Sequence, residues 1–71
     1  MVKFMLSTLL GARRMSQAAL SRKTGIRPST INSYYHDYAK RVKLEYLGSI
    51  CEALDCDLSD LIVYVSDDKT K

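Results

Sequence analysis

The sequence has few of the residues that break or cross-link a chain: its 71 residues include one proline, three glycines and two cysteines. Two cysteines are too few for the disulfide framework of a small secreted domain, and so little glycine and proline argues against a disordered tail. No apolar run approaches the roughly 18 residues that cross a bilayer, and residues 1–10 lack the cleavage site of a signal peptide. We therefore expect a single cytoplasmic domain over residues 1–71, near the size at which one core is marginally stable without a partner subunit.

Side chains that carry out catalysis or bind metals are also scarce. His36 is the only histidine, and Cys51 and Cys56 lie far from it in sequence, so a tetrahedral metal site is not expected. If both cysteines were helical, their Cα atoms would be too far apart for a disulfide, and we expect buried, inert thiols. There is no paired carboxylate, no nucleophile beside a base and no glycine-rich phosphate loop. The sequence predicts no enzyme, no cofactor, no metal and no small-molecule ligand.

Acidic residues are almost absent from the first part of the chain. Residues 1–43 contain nine Lys or Arg and a single acid, Asp37, whereas residues 44–71 contain two lysines and seven acids. The net charge of +3 is therefore the sum of a strongly basic first part and an acidic second part. A basic region attracts phosphate, and its binding to nucleic acid weakens as salt rises.

The basic part contains a pattern typical of two short helices joined by a sharp turn. Ser16 is a good N-cap for a helix running through Lys23, Gly25 suits a residue with positive φ, and Pro28 suits the first position of a second helix, Pro28 to Tyr35. The inward positions of this pair are apolar: Leu20, Ile26, Ile31 and Tyr34. The outward positions of the second helix are short and uncharged: Ser29, Asn32, Ser33 and the edge of Tyr35. Such a surface suits base edges, and the amide of Asn32 can pair with adenine through two hydrogen bonds.

The remaining segments predict a small helical fold around this pair. A first helix runs from Met5 to about Arg14, with Gly11 permitting close approach, and a fourth helix has an apolar stripe. The stripe consists of Leu44, Leu47, Cys51 and Leu54. Asp57 caps a fifth helix, with Asp60 three residues later, and Leu58, Leu61 and Ile62 close the core.

The two ends of the chain are expected to pair as strands. Residues 62–65 are β-branched, and residues 2–4 are the other candidate, within one subunit or across the two-fold axis of a dimer. Residues 66–71 are predicted to form a polar tail. Asp37 is expected to pair with Arg41 or to cap a turn.

The sequence resembles the Cro/CI-type, lambda-repressor-like family of helix-turn-helix transcriptional regulators over roughly residues 5–62. The resemblance rests on Gln17, Leu20, Gly25-Ile26 and Ser29-Thr30-Ile31, and continues through Leu44, Leu47, Cys51-Glu52-Ala53-Leu54 and residues 57–61. It departs from the family at Arg27, where a capping side chain is usual, and at residues 35–37, where relatives have a glutamate and an Asn-Gly turn. The resemblance implies an all-α, five-helix domain over residues 1–71, with its helix-turn-helix at 16–35.

It also implies a repressor that binds duplex DNA as a homodimer, with the second helix of the motif in the major groove and Gln17 on a backbone phosphate. The expected DNA-binding residues are Gln17, Arg27, Pro28, Ser29, Asn32, Ser33, Tyr35, Lys40, Arg41 and Lys43. For Arg27 two interpretations stay open: its side chain contacts a phosphate or a guanine, or it is simply exposed to solvent. Two alternatives stay open: an antitoxin-like or phage-switch protein whose main partner is another protein, and a pure protein-interaction module on the same fold.

Overall fold

Over residues 1–66, which the computed structural model describes, the chain forms five helices and two short strands. In chain order they are β1 (Val2–Phe4), α1 (Leu6–Arg13), α2 (Gln17–Thr24), α3 (Pro28–Tyr35), α4 (Leu44–Leu54), α5 (Leu58–Leu61) and β2 (Ile62–Tyr64). The predicted all-α, five-helix fold is confirmed. None of the helices in this part of the chain is both long and apolar enough to cross a bilayer. Of the predicted polar tail, residues 67–71 lie outside the described residues.

Local chemistry explains the boundaries of the helix-turn-helix. The Ser16 hydroxyl accepts a hydrogen bond from the Ala19 N–H at 3.0 Å, as an N-cap should. Gly25 ends α2 with φ 77°, in the left-handed region that glycine adopts at little cost. Arg27 makes no side-chain cap, and Pro28 stands in the first turn of α3. The predicted Ser16 cap and the predicted bounds of the second helix, Pro28–Tyr35, are confirmed, whereas α2 runs one residue beyond the predicted end at Lys23.

The helices α1, α3 and α4 end in a way that the sequence does not signal. Arg14, Asp37 and Asp55 all have positive φ although none is glycine. In each case the next residue donates its N–H to the carbonyl five positions earlier, which is the Schellman ending of a helix. The three bonds are Met15 to Leu10 at 3.0 Å, Tyr38 to Ser33 at 2.8 Å and Cys56 to Cys51 at 3.0 Å.

The core gathers apolar side chains from all five helices and from the turn between α2 and α3: Leu6, Leu10, Leu20, Ile26, Ile31, Tyr34, Leu47, Ile50, Leu54 and Leu61. Two predicted core residues do not belong to it, since Leu44 is 81% exposed and Leu58 is 49% exposed. Each is the first residue of its helix, and helical side chains tilt toward the N-terminus, so these two point past the packed turns. The prediction that another element packs closely at Gly11 is also wrong, because a Cβ there would meet nothing within 4 Å.

The two strands pair antiparallel within one subunit, which decides between the two predicted pairings. Val2 lies opposite Tyr64, and Phe4 lies opposite Ile62. The Phe4 ring stacks on Tyr34 at 4.7 Å between centroids, and the Phe4 N–H donates to the Asp37 carboxylate at 3.1 Å. Asp37 therefore caps the edge of β1, a role that the sequence did not predict. Together these contacts fix the sheet against the end of α3.

Candidate nucleic-acid interface

The second helix of the motif, α3, has one face in the core and one face in solvent. Ile31 is 0% exposed and Tyr34 is 3% exposed, so these two anchor the helix to the rest of the fold. Ser29 and Asn32 are exposed on the other side, and Arg27 and Pro28 are exposed where α3 begins. The structure therefore presents one amide and one hydroxyl on a helix anchored in the core, flanked by a cation.

Ser33 and Tyr35 lie at the flank of this surface rather than at its centre. Both are half-buried, and the Ser33 hydroxyl donates to the Thr30 carbonyl at 2.9 Å. Tyr35 packs against the core, and its ring meets His36 edge-on at 5.0 Å. Of the outward residues expected from the sequence, Ser29 and Asn32 are therefore the most accessible to a ligand.

Cations from three segments surround a concave surface beside the start of α3. The cavity has a volume of about 600 Å³ and is lined by Arg27, Thr30, Arg41, Val42, Lys43 and Tyr46. Arg27 is the N-cap of α3, Arg41 lies in the loop between α3 and α4, and Lys43 is the N-cap of α4. Three positive side chains around one concavity favour an anion, and two helix N-termini add to that preference. Lys40 is exposed nearby in sequence but does not line the cavity.

The loop that carries these cations is tied to the core. Burial raises the pKa of Tyr34, and the backbone of Lys43 beside the phenol partly offsets that rise. The Tyr34 side chain thus lies beside the start of α4. The Lys43 ammonium lies 5.2 Å from the centre of the Tyr46 ring, within the range of a cation–π contact. Lys43 therefore lies against both α3 and α4.

Gln17 occupies the first position of α2, half-buried beside the Ser16 cap. The cap satisfies the Ala19 N–H, and the N–H groups of the first turn ahead of it have no partner within a helix. Gln17 lies on a different element from the residues that line the cavity.

Sequence reasoning missed several residues of this surface. Thr30, Val42 and Tyr46 form the walls of the cavity, and no local pattern marks them as such. Tyr38 is 71% exposed and stacks on His36 at 5.5 Å, at the Schellman ending of α3. The run of aromatics in residues 34–38 was a visible signal, but the stacking depends on the left-handed turn at Asp37.

The fold and the exposed face of α3 define a helix-turn-helix domain of the DNA-binding class. The sequence profile of the Cro/C1-type HTH DNA-binding domain family matches residues 5–67, which is most of the chain. The chain belongs to this family, whose members are DNA-binding transcriptional regulators. The resemblance stated from the sequence is confirmed.

Individual relatives agree with the family. An uncharacterized HTH-type transcriptional regulator of Bacillus subtilis, YozG, is 34% identical over 65 residues, which cover 92% of this chain and 77% of YozG. The crystal structure of the transcriptional regulator VanUg is similar with a TM-score of 0.76 and 31% identity, covering 93% of this chain and 87% of VanUg. The crystal structure of a putative DNA-binding protein from Bacteroides fragilis has a TM-score of 0.79 at 21% identity, covering 89% of this chain and 100% of the Bacteroides chain. That last likeness shows the fold alone.

Proposed function

We propose that the protein binds specific duplex DNA sequences, with α3 in the major groove, and represses transcription by occupying an operator. The observation that carries this proposal is the exposed pair Ser29 and Asn32 on a helix whose opposite face is fully buried. Asn32 offers the donor and acceptor that adenine requires in the major groove. Such a function places the protein in the cytoplasm with the chromosome.

The cavity cations supply the phosphate contacts in this proposal. Arg27, Arg41 and Lys43 lie on the side of α3 from which the helix begins, where a groove-bound helix approaches the backbone. Lys40 extends the same basic loop, and Gln17 contacts a second phosphate from α2. In this proposal α3 contacts the bases, and the cations and Gln17 orient the protein on the duplex by contacting phosphates.

Selection of bound fragments from randomised duplex, followed by fluorescence anisotropy at several salt concentrations, tests the proposal. We expect one enriched sequence and a linear fall of log K with log salt. A protein-interaction module on the same fold would show neither enrichment nor a salt slope, and that result would overturn the DNA-binding proposal.

Two substitutions separate base reading from phosphate contact. Asn32→Ala should cost about 1–3 kcal/mol at one operator position and relax the base preference there, because the amide pairs with one base. Arg41→Ala should weaken all sequences alike and reduce the salt slope by about one, because it contacts phosphate.

Lys3→Ala is the control for charge. It removes one exposed cation from β1, outside both α3 and the cavity, and should leave the salt slope nearly unchanged. Should Asn32→Ala weaken every sequence equally, Asn32 is not a base reader. Should Lys3→Ala match Arg41→Ala, the effect is one of net charge and the assignment of the cavity to phosphate fails.

We further propose a homodimer that covers the apolar end of the sheet. Four apolar side chains are exposed at this end: Val2 at 62% and Tyr64 at 74%, which lie opposite each other on the paired strands, and Met1 at 64% and Val65 at 42%, just beyond the strands. Two copies related by a two-fold axis would place their α3 helices on half-sites one helical turn apart, roughly 34–36 Å.

Sedimentation of the free protein measures its oligomeric state and tests this interface. Tyr64→Glu is the test variant, and Tyr38→Glu, at an exposed tyrosine outside the proposed interface, is the control. The expected result is a dimer that only Tyr64→Glu dissociates, together with a symmetric selected operator. A monomer bound to an asymmetric site would refute the homodimer. It would favour the antitoxin-like or phage-switch alternative, in which another protein covers this end.

A further inference from the structure

Cys51 and Cys56 occupy the two positions that a Schellman ending brings together. Cys51 lies in the last turn of α4, Asp55 takes the left-handed conformation with φ 52°, and Cys56 follows it outside the helix. The Cys56 N–H donates to the Cys51 carbonyl at 3.0 Å, and the Asp55 N–H donates to the Glu52 carbonyl at 3.3 Å. In this motif the side chains of these two positions commonly contact each other.

The hydrogen bond limits how far apart the two cysteines can be. With standard backbone dimensions, a 3.0 Å bond from the Cys56 nitrogen to the Cys51 oxygen allows a Cα–Cα distance of at most about 6.9 Å, reached only if all atoms were in line. A continuous helix would separate the same two Cα atoms by about 8.6 Å. Disulfides span roughly 4.4–6.8 Å between Cα atoms. The sequence-based exclusion of a disulfide assumed that both cysteines are helical. It does not apply here, because α4 ends at Leu54 and Asp55 turns the chain back before Cys56.

The two thiols also lie close to each other and within reach of solvent. Both cysteines are free and only partly buried. Burial raises the pKa of the Cys56 thiol, and the neighbouring Cys51 thiol raises it further. The Cys56 thiol is therefore neutral at rest, and its reactive thiolate forms only as the pH rises above neutrality.

We propose that Cys51 and Cys56 form a modification site: a dithiol that low-molecular-weight disulfides convert to an intrachain disulfide. One cysteine thiolate attacks a sulfur of the small disulfide, the S–S bond of the reagent breaks, and one thiol leaves. The second cysteine then loses its proton to solvent and attacks the mixed disulfide, which forms the Cys51–Cys56 bond and releases the second thiol. The protein loses two electrons and two protons, and one reagent molecule becomes two thiols.

The folded protein should accept this bond without rearrangement of α4. The closed ring contains only the residues of the Schellman turn, whose backbone is already in place. The bond should therefore stabilise the folded state by restricting the unfolded chain, and raise the Tm by about 9–18 °C. The inference is independent of the proposed DNA binding, and its test uses no DNA.

Oxidised glutathione at about pH 8.5, with mass spectrometry and thermal unfolding, tests the site. The wild-type chain should lose about 2 Da, remain free of alkylation by iodoacetamide, and melt at the higher temperature until dithiothreitol restores the original Tm. Cys51→Ser and Cys56→Ser are matched controls. Each should gain the mass of one glutathione and show no rise in Tm.

Four results would overturn the proposal. They are a wild-type chain carrying two glutathiones, a covalent dimer, no reaction of the native protein, and an intrachain disulfide whose formation lowers the Tm. The last result would mean that the bond forms only in the unfolded chain and that the folded turn cannot accommodate it.

Discussion

Gly25→Ala isolates the backbone strain at the turn of the helix-turn-helix motif. Gly25 has φ +77°, and an added Cβ would meet nothing within 4 Å. No steric clash accompanies the change, so its effect comes from the conformation alone. The left-handed region costs a residue with a side chain roughly 1–2 kcal/mol relative to glycine.

The expected magnitude is a difference of two terms. The strain lowers the free energy of unfolding, whereas alanine restricts the unfolded chain and returns about 0.4–1 kcal/mol. The net loss should be about 1 kcal/mol, which corresponds to a fall in Tm of about 4–8 °C for a chain of this size.

Gly48→Ala provides a matched control with the opposite sign. Gly48 lies inside α4, has ordinary helical backbone, and also leaves a Cβ with nothing within 4 Å. The same chemical change there should raise the free energy of unfolding by about 0.5–1 kcal/mol, because alanine is the better helix former.

Urea unfolding followed by circular dichroism measures both changes, provided that the slope of free energy against urea stays constant. The two variants should lie on opposite sides of the wild-type midpoint. If Gly25→Ala were neutral or stabilising, the left-handed turn would not be the reason for glycine at this position.

Three further changes test other parts of the structure. Arg14→Gly should raise the free energy of unfolding by about 0.5–1 kcal/mol, because Arg14 holds φ 53° at a helix end that favours glycine; an unchanged urea midpoint would contradict this. Ser16→Ala should lower it by about 1 kcal/mol, because the Ala19 N–H loses its acceptor, whereas Ser7→Ala on the exposed face of α1 should show no loss. Burial raises the pKa of Tyr34, so the stability from its neutral phenol is complete below the ordinary value of 10.0 and is lost as pH rises through the higher folded pKa. Thermal melts at alkaline pH should show that loss in the wild type and a smaller one in Tyr34→Phe; equal losses would show that another group is responsible.

Short-range chemistry in the sequence determined the helix-turn-helix and the sidedness of its second helix. An N-cap serine, a turn glycine and an N1 proline each act within one helical turn, so Ser16, Gly25 and Pro28 marked the boundaries correctly. Helical spacing likewise separated the buried Ile31 from the exposed Asn32, because that spacing is the same wherever the helix packs.

The tertiary structure decided what lies beyond one turn of the chain. Left-handed residues that are not glycine, such as Asp37 and Asp55, redirect the backbone without a sequence signal, and so bring Asp37 to the edge of β1 and Cys56 back to Cys51. The cation-lined cavity joins Arg27 to Arg41, fourteen positions apart, where Tyr34 of α3 lies beside the start of α4. Sequence patterns report interactions between near neighbours, whereas these sites form only when the buried core has fixed distant segments side by side.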